Sequence, residues 1–202
     1  MSNHADDSWA KFLNPTALRD NLIAASIFVT SYEILKSSII EQIKSFYTHG
    51  FDKTGPIVSE SYKAKVLALD AKGNHFRASI VWLKANNVID ANDDQMITEL
   101  TQHRNDVAHN LPKFLSDAGR DVELARLNDL VEIVTKIDRW WIINVELAIQ
   151  NEIDPINVIT DRIMSGNMLF LRILLTTASG AGSTEIYEEY LKQREASNKQ
   201  TT

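Results

Sequence analysis

Apolar residues recur at steps of three and four along most of this chain, and that period admits one kind of element. Phe28, Tyr32, Leu35, Ile39, Ile43 and Phe46 form one series, and Leu127, Leu130, Val134, Ile137, Trp141 and Val145 form another. Such steps put every member of a series on one side of an α-helix, whereas a half-buried strand needs steps of two. Only 7 Gly and 4 Pro interrupt the 202 residues, which favours long helices. The spacing predicts an all-α chain without strands, an antiparallel helical bundle with additional C-terminal helices.

Turn and cap residues divide the chain. Residues 1–14 are polar with scattered apolar positions and read as a flexible arm. Pro15 or Thr16 opens a helix that His49-Gly50 closes, and the segment 51–58, with Gly55-Pro56, is a loop. Helices are predicted from Ser59 to Ala71 and from His75 to Asn86, with Asn74 as an N-cap. Val88-Ile89 reads as a short extended piece, and Asp93 or Asp94 caps a helix over 94–109. Pro112 to Arg120 is a connection, and a long helix runs from about Asp121 to Gln150. The bundle thus occupies 15–150. Appended helices fill 151–194, at Ile156–Thr177 and Thr184–Arg194 around a Ser179–Ser183 loop, and 195–202 is a disordered tail.

Charge and composition exclude several classes. A net charge of -6 opposes broad, non-specific nucleic-acid binding, which needs a basic surface, though it permits a local basic cleft. With no Cys, there is neither a disulfide framework nor a thiolate metal site. Met1 to Ala10 carries Asp6 and Asp7 where a signal peptide is basic and then apolar. The run Met168 to Leu175 is interrupted by Arg172 and is too short to span a bilayer. These features lead us to expect a soluble, cytoplasmic protein without a cofactor.

One stretch is dense in chemistry. Glu99 to Asn110 ends in Arg104-Asn105-Asp106-Val107-Ala108-His109, at a predicted helix end just before Pro112. Arg104 and His109 are about 140° apart on a regular helix, whereas Asn105 and His109 share a face. A guanidinium, an amide and an imidazole within about two turns can hold an anion and move a proton. That combination suits a phosphate-handling site.

Arg-Asn-Asp-Val-Ala-His at a helix end, behind two helical blocks and ahead of a long amphipathic helix, resembles the HEPN superfamily. The resemblance covers Pro15 to Gln150 and implies a HEPN-like helical bundle. It also implies metal-independent RNA cleavage in bacterial defence or a toxin–antitoxin system. Catalytic roles would then fall to Arg104 for phosphate charge, His109 for proton transfer and Asn105 for orientation. One chain supplies one such imidazole, and the resemblance implies a homodimer that sets two motifs across one cleft. A subgroup of paired toxins has Tyr two residues after the His, where this chain has Leu111. The resemblance therefore does not extend to that subgroup's nucleotidyltransferase antitoxin, and any antitoxin or other protein partner is left unspecified.

Each of these residues has a plainer reading. Arg104 and Asp106 can be surface charges, and His109 can bond a carbonyl at the helix end. His103 is a weak candidate to face nucleic acid, with solvent exposure as the alternative. Trp140-Trp141 can stack bases, or place one ring in the core and one at its rim. Lys36, Lys44, Lys63, Lys65, Lys72 and Arg77 make a weak basic strip or simply solvate helix faces. Ser179 to Thr184 lacks the Lys and preceding strand of a phosphate loop, and His4, His49 and His75 lack metal-ligand spacing. The alternative for the whole chain is a non-catalytic helical module that binds a protein or nucleotide.

Overall fold

A computed structural model describes residues 3–149, 163–178 and Glu188. In chain order the elements are α1 (His4–Leu13), α2 (Pro15–Phe46), β1 (Thr48–Asp52), β2 (Gly55–Val58) and α3 (Glu60–Lys65). A 3-10 turn at Leu67–Leu69 leads to α4 (His75–Ala85), α5 (Ala91–Ser116) and α6 (Arg126–Trp141). A π-helical segment, Ile142–Glu146, joins α6 to the short α7 (Leu147–Ile149), and α8 spans Gly166–Ala178. The chain is mostly α-helical. Expected elements in 151–162 and beyond 178, with the Ser179–Ser183 loop and the tail, lie outside the described residues.

Helix α2 forms the axis. Asn14 accepts from the N–H groups of Thr16 and Ala17, and Pro15 occupies the first turn, where its missing N–H costs nothing. Ala25, Ile27, Phe28, Tyr32, Leu35, Ile39 and Ile43 are buried along it, and it touches α4, α5, α6 and α8. Phe46, expected on this stripe, is 52% exposed because the helix ends there. By length and composition α2 could also cross a membrane. Its best 18-residue window has a mean hydropathy of 1.4, with 44% of that window buried inside the bundle. That is a longer apolar stretch than the expected Met168 to Leu175.

Several sequence expectations are corrected. Residues 4–13 are not an arm but a helix: Asn3 caps it, and Lys11 fixes it to the loop after α5. The expected loop 51–58 belongs to an antiparallel hairpin, β1 with β2. Its turn forms because Asp52 Oδ1 accepts from the Thr54 N–H and hydroxyl and Gly55 adopts φ +127°, open to glycine alone. Val88-Ile89 is a bend whose two side chains are buried, not a strand. Helix α5 starts at Ala91 because Asp90, rather than Asp93 or Asp94, is its cap; Asp93 reciprocates by accepting from the Asp90 N–H. It continues past Pro112 to Ser116, kinked at Asn110 (φ -120°, ψ 23°). Pro112 cannot donate to Ala108, and its ring pushes against that carbonyl, which bends the helix without ending it. Helix α6 begins at Arg126, five residues later than expected.

Polar links set how the helices sit around α2. Asp138 on α6 is 1% exposed, accepts from Gln42 Nε2 of α2 at 2.8 Å, and accepts the Ser165 hydroxyl. Ser165 Oγ in turn accepts from the Met168 N–H at 3.1 Å and so caps α8. Asn167 donates to Ser38 Oγ at 2.9 Å. Removing one partner of a buried hydrogen-bonded carboxylate costs about 1–3 kcal/mol, since its donors are left unpaired. Asp138→Ala is therefore expected to lower unfolding free energy in urea by about 2 kcal/mol, with an unchanged dependence on denaturant.

Candidate functional site

The phase of α5 decides what each motif residue does. Asp93, Ile97, Leu100, Val107 and Phe114 are its buried positions, spaced by three, four and seven. Arg104 falls in that series, midway between Leu100 and Val107, and so points toward α2. There its Nη2 donates to Glu33 Oε1 at 2.5 Å, while Nη1 donates to Asn105 Oδ1 at 3.2 Å. The guanidinium carbon lies 5.7 Å from the centre of the Tyr32 ring. Arg104 Nε is buried without a partner.

Tyr32 belongs to the same cluster. Thr101 Oγ1 donates to the Ile97 carbonyl at 2.7 Å, so the 2.9 Å contact between the two hydroxyls has Tyr32 as its donor. Burial pushes the Tyr32 phenol above its usual range, partly offset by this hydrogen bond and by the Arg104 charge. Arg104 thus fastens α5 to α2 at Glu33 and Tyr32. Two of its five donors are in hydrogen bonds, and Glu33 already neutralises its charge.

His109 lies elsewhere. It is exposed, as is Asn105 one turn before it. Thr98, Gln102, Asn105 and His109 step by four, three and four, a single outward stripe of α5. The imidazole makes no hydrogen bond or ion pair among the described residues. Within one chain, then, Arg104 and Asn105 meet, and His109 joins neither. Asp106 faces a different partner: Arg120 Nη2 donates to its Oδ2 at 2.5 Å, and Asn110 Nδ2 donates to Oδ1 at 2.9 Å. The Arg120 hydrogen bond holds the Asp106 carboxyl below its usual range, against the opposing pull of desolvation.

His103 faces neither nucleic acid nor solvent. Its side chain is 9% exposed and packs edge-on against Phe28, with ring centres 4.7 Å apart, and near Phe114 at 6.1 Å. Nε2 accepts from the Glu123 N–H at 3.2 Å, so the proton of the neutral ring sits on Nδ1. Burial lowers the His103 pKa, against a smaller upward pull from Glu123.

The other candidates fall into place around the bundle. Trp141 is buried at 4% exposure and stacks on Trp82, with ring centres 5.8 Å apart, while Trp140 is half-buried at the rim. Lys36, Lys44, Lys63 and Arg77 each pair with a nearby carboxylate, so four of the six cations in the basic strip are already matched by acidic groups. Among the described residues no group of three or more His, Asp or Glu is placed to hold a metal ion. Glu33, the partner of Arg104, carries no signal in the sequence, since 71 residues separate the two and Glu33 merely follows the apolar Tyr32. No protein-family model, curated protein or solved structure matches the chain.

Two measurements test this arrangement. Arg104→Ala is expected to destabilise by about 1–2 kcal/mol, the sum of a part-exposed ion pair and a cation–π contact. A double-mutant cycle with Glu33→Gln should show coupling of about 0.5–1 kcal/mol in chemical denaturation. His103 has a lowered folded pKa, so its unfolded form binds a proton first, near pH ~6.5. Its contribution is complete above that pH, declines as pH falls from ~6.5 through the folded pKa, and then levels off. His103→Gln should remove that part of the pH dependence in denaturation curves collected across this window.

Proposed function

We propose that the chain is a metal-independent endoribonuclease of HEPN type whose active site is completed by a second copy. The observation that carries this reading is the exposed His109 imidazole, without a partner among the described residues, one turn after Asn105 on the outward stripe of α5. Transesterification of RNA needs a base and an acid, and each chain brings one such imidazole. With two copies, one His109 takes the proton of a ribose 2′-OH as that oxygen attacks phosphorus. The His109 of the other copy, protonated, gives its proton to the departing 5′-oxygen. The P–O5′ bond breaks, leaving a 2′,3′-cyclic phosphate and a 5′-hydroxyl.

Arg104 stabilises the phosphorane with the donors that Glu33 and Asn105 leave free. An RNA substrate, with a role in defence or a toxin system, would place this activity in the cytoplasm. On this reading the purified chain cleaves RNA in EDTA and leaves cyclic phosphate ends. His109→Ala should reduce the rate at least ~100-fold, the usual contribution of a general acid–base group. Cleavage that persists unchanged in both His109→Ala and Arg104→Ala overturns the reading.

A second reading rests on the Glu33 contact. An Arg whose charge is neutralised and whose ring contact holds two helices is sufficient as a structural clamp, and the module then binds a partner without turnover. Glu33→Gln separates the two. The nuclease reading expects the freed guanidinium to keep or raise RNA affinity, and the clamp reading expects only a loss of stability.

A further inference from the structure

Helices α4 and α5 leave a slot of ≈ 500 Å³ between them, within the range of small-molecule sites, about 300–1,000 Å³. Its two walls differ in kind. On α5 the lining positions are Asp94, Ile97, Thr98, Thr101 and Gln102, at i, i+3, i+4, i+7 and i+8, one helix face with a single apolar member. On α4 the wall has an apolar surface, built by Phe76, Ile80 and Val81. Val81 is 42% exposed, so part of that surface lies open at the mouth.

We propose that this slot seats a base of the RNA substrate, its ring against the α4 wall and its polar edge read by Gln102 and Thr98 of α5. The inference rests on the nuclease reading for the identity of its ligand. Two routes join the slot to the candidate site. Tyr32 stands behind both: its hydroxyl bonds Thr101 in the slot wall, its ring lies 6.5 Å from that of Phe76, and the Arg104 guanidinium is 5.7 Å from its centre. Thr98, Gln102, Asn105 and His109 also form one outward stripe, all of it before the kink at Asn110. Gln102 precedes His109 by about 10 Å along the axis. A phosphate held at Arg104 and His109 therefore leaves the base of an adjoining nucleotide beside the slot.

Charge and hydrogen bonding narrow the ligand to a base. The charged residues at the slot pair with one another, Arg77 with Asp70 at 3.3 Å and Lys84 with Asp94. A charge-balanced slot favours a neutral ring over a phosphate, which needs uncommitted cations. The polar α5 wall disfavours a lipid chain, since hydrocarbon packed on Thr98 and Gln102 would leave their polar groups unpaired. A nucleobase matches both walls, because its π-face stacks on an aromatic ring such as Phe76 while its edge carries donors and acceptors. The Gln102 amide makes no hydrogen bond among the described residues and offers both a donor and an acceptor. The Thr98 hydroxyl gives its proton to the Asp94 carbonyl at 2.9 Å and keeps its lone pairs for a donor on the base.

Calorimetry on the full chain tests this with short 2′-O-methylated oligomers of A, C, G or U, which lack the attacking hydroxyl, against the same backbone without bases. At least one base-bearing oligomer is expected to bind about 10-fold or more tighter than the abasic backbone. Val81→Trp fills the mouth from an exposed position, so it should leave the melting temperature unchanged and abolish that difference. Gln102→Leu, also at an exposed position, should keep the stacking and narrow the spread of affinities among the bases. Equal binding of base-bearing and abasic oligomers, no binding of any, a difference that survives Val81→Trp, or a spread unchanged by Gln102→Leu overturns the proposal. Selective binding of base-bearing oligomers by a chain that cleaves no RNA upholds the slot and sinks the nuclease reading alone. RNA cleavage whose rate and base preference are unchanged by Val81→Trp sinks the slot and leaves the nuclease reading standing.

Discussion

The buried stripe of α2 is the constraint from which the other helices take their positions. Each large apolar side chain buried there contributes about 1.5–3 kcal/mol, whereas an exposed ion pair contributes about 0–1 kcal/mol. Burial therefore decides that α4, α5, α6 and α8 gather around α2. The polar contacts decide less energy but more geometry. Glu33 with Arg104, Ser38 with Asn167 and Gln42 with Asp138 lie at successive heights along α2 and fix how its neighbours are rotated.

Rotation of α5 is where fold and chemistry meet. With Leu100 and Val107 turned inward, Arg104 must face α2, and Asn105 and His109 must face out. The same helix cannot bring Arg104 and His109 together on one face. The kink at Asn110 follows both and leaves that divergence in place. The proposed chemistry consequently depends on a second chain.

Much of the helical plan is legible in the residue pattern alone. The three-and-four spacing marks α2 and α6 because a helical stripe depends only on residues within a few turns of one another. Asn74 can be recognised as a start for the same reason, since a cap bonds N–H groups two or three residues ahead, whereas the Asn14 cap reads in the sequence as the end of an arm. Where pattern and structure part, the causes are of other kinds. Pro112 carries the signal of a stop, yet packing of Phe114 at 2% exposure takes the helix past it. The hairpin gives no signal because its strands, at five and four residues, are too short and too exposed to show an alternating pattern.

The candidate site divides in the same way. That Asn105 and His109 share a face and Arg104 does not is a consequence of helical pitch, and the chain alone settles it. That Arg104 is held by Glu33, that His103 is enclosed by Phe28 and Phe114, and that α1 turns its polar side inward were decided by tertiary structure. These contacts join residues 71 and 106 positions apart, as with Arg104 to Glu33 and Lys11 to Asp117, and no local period encodes them. Local repeats specify which helices form; only the packed bundle specifies which charged group each helix meets.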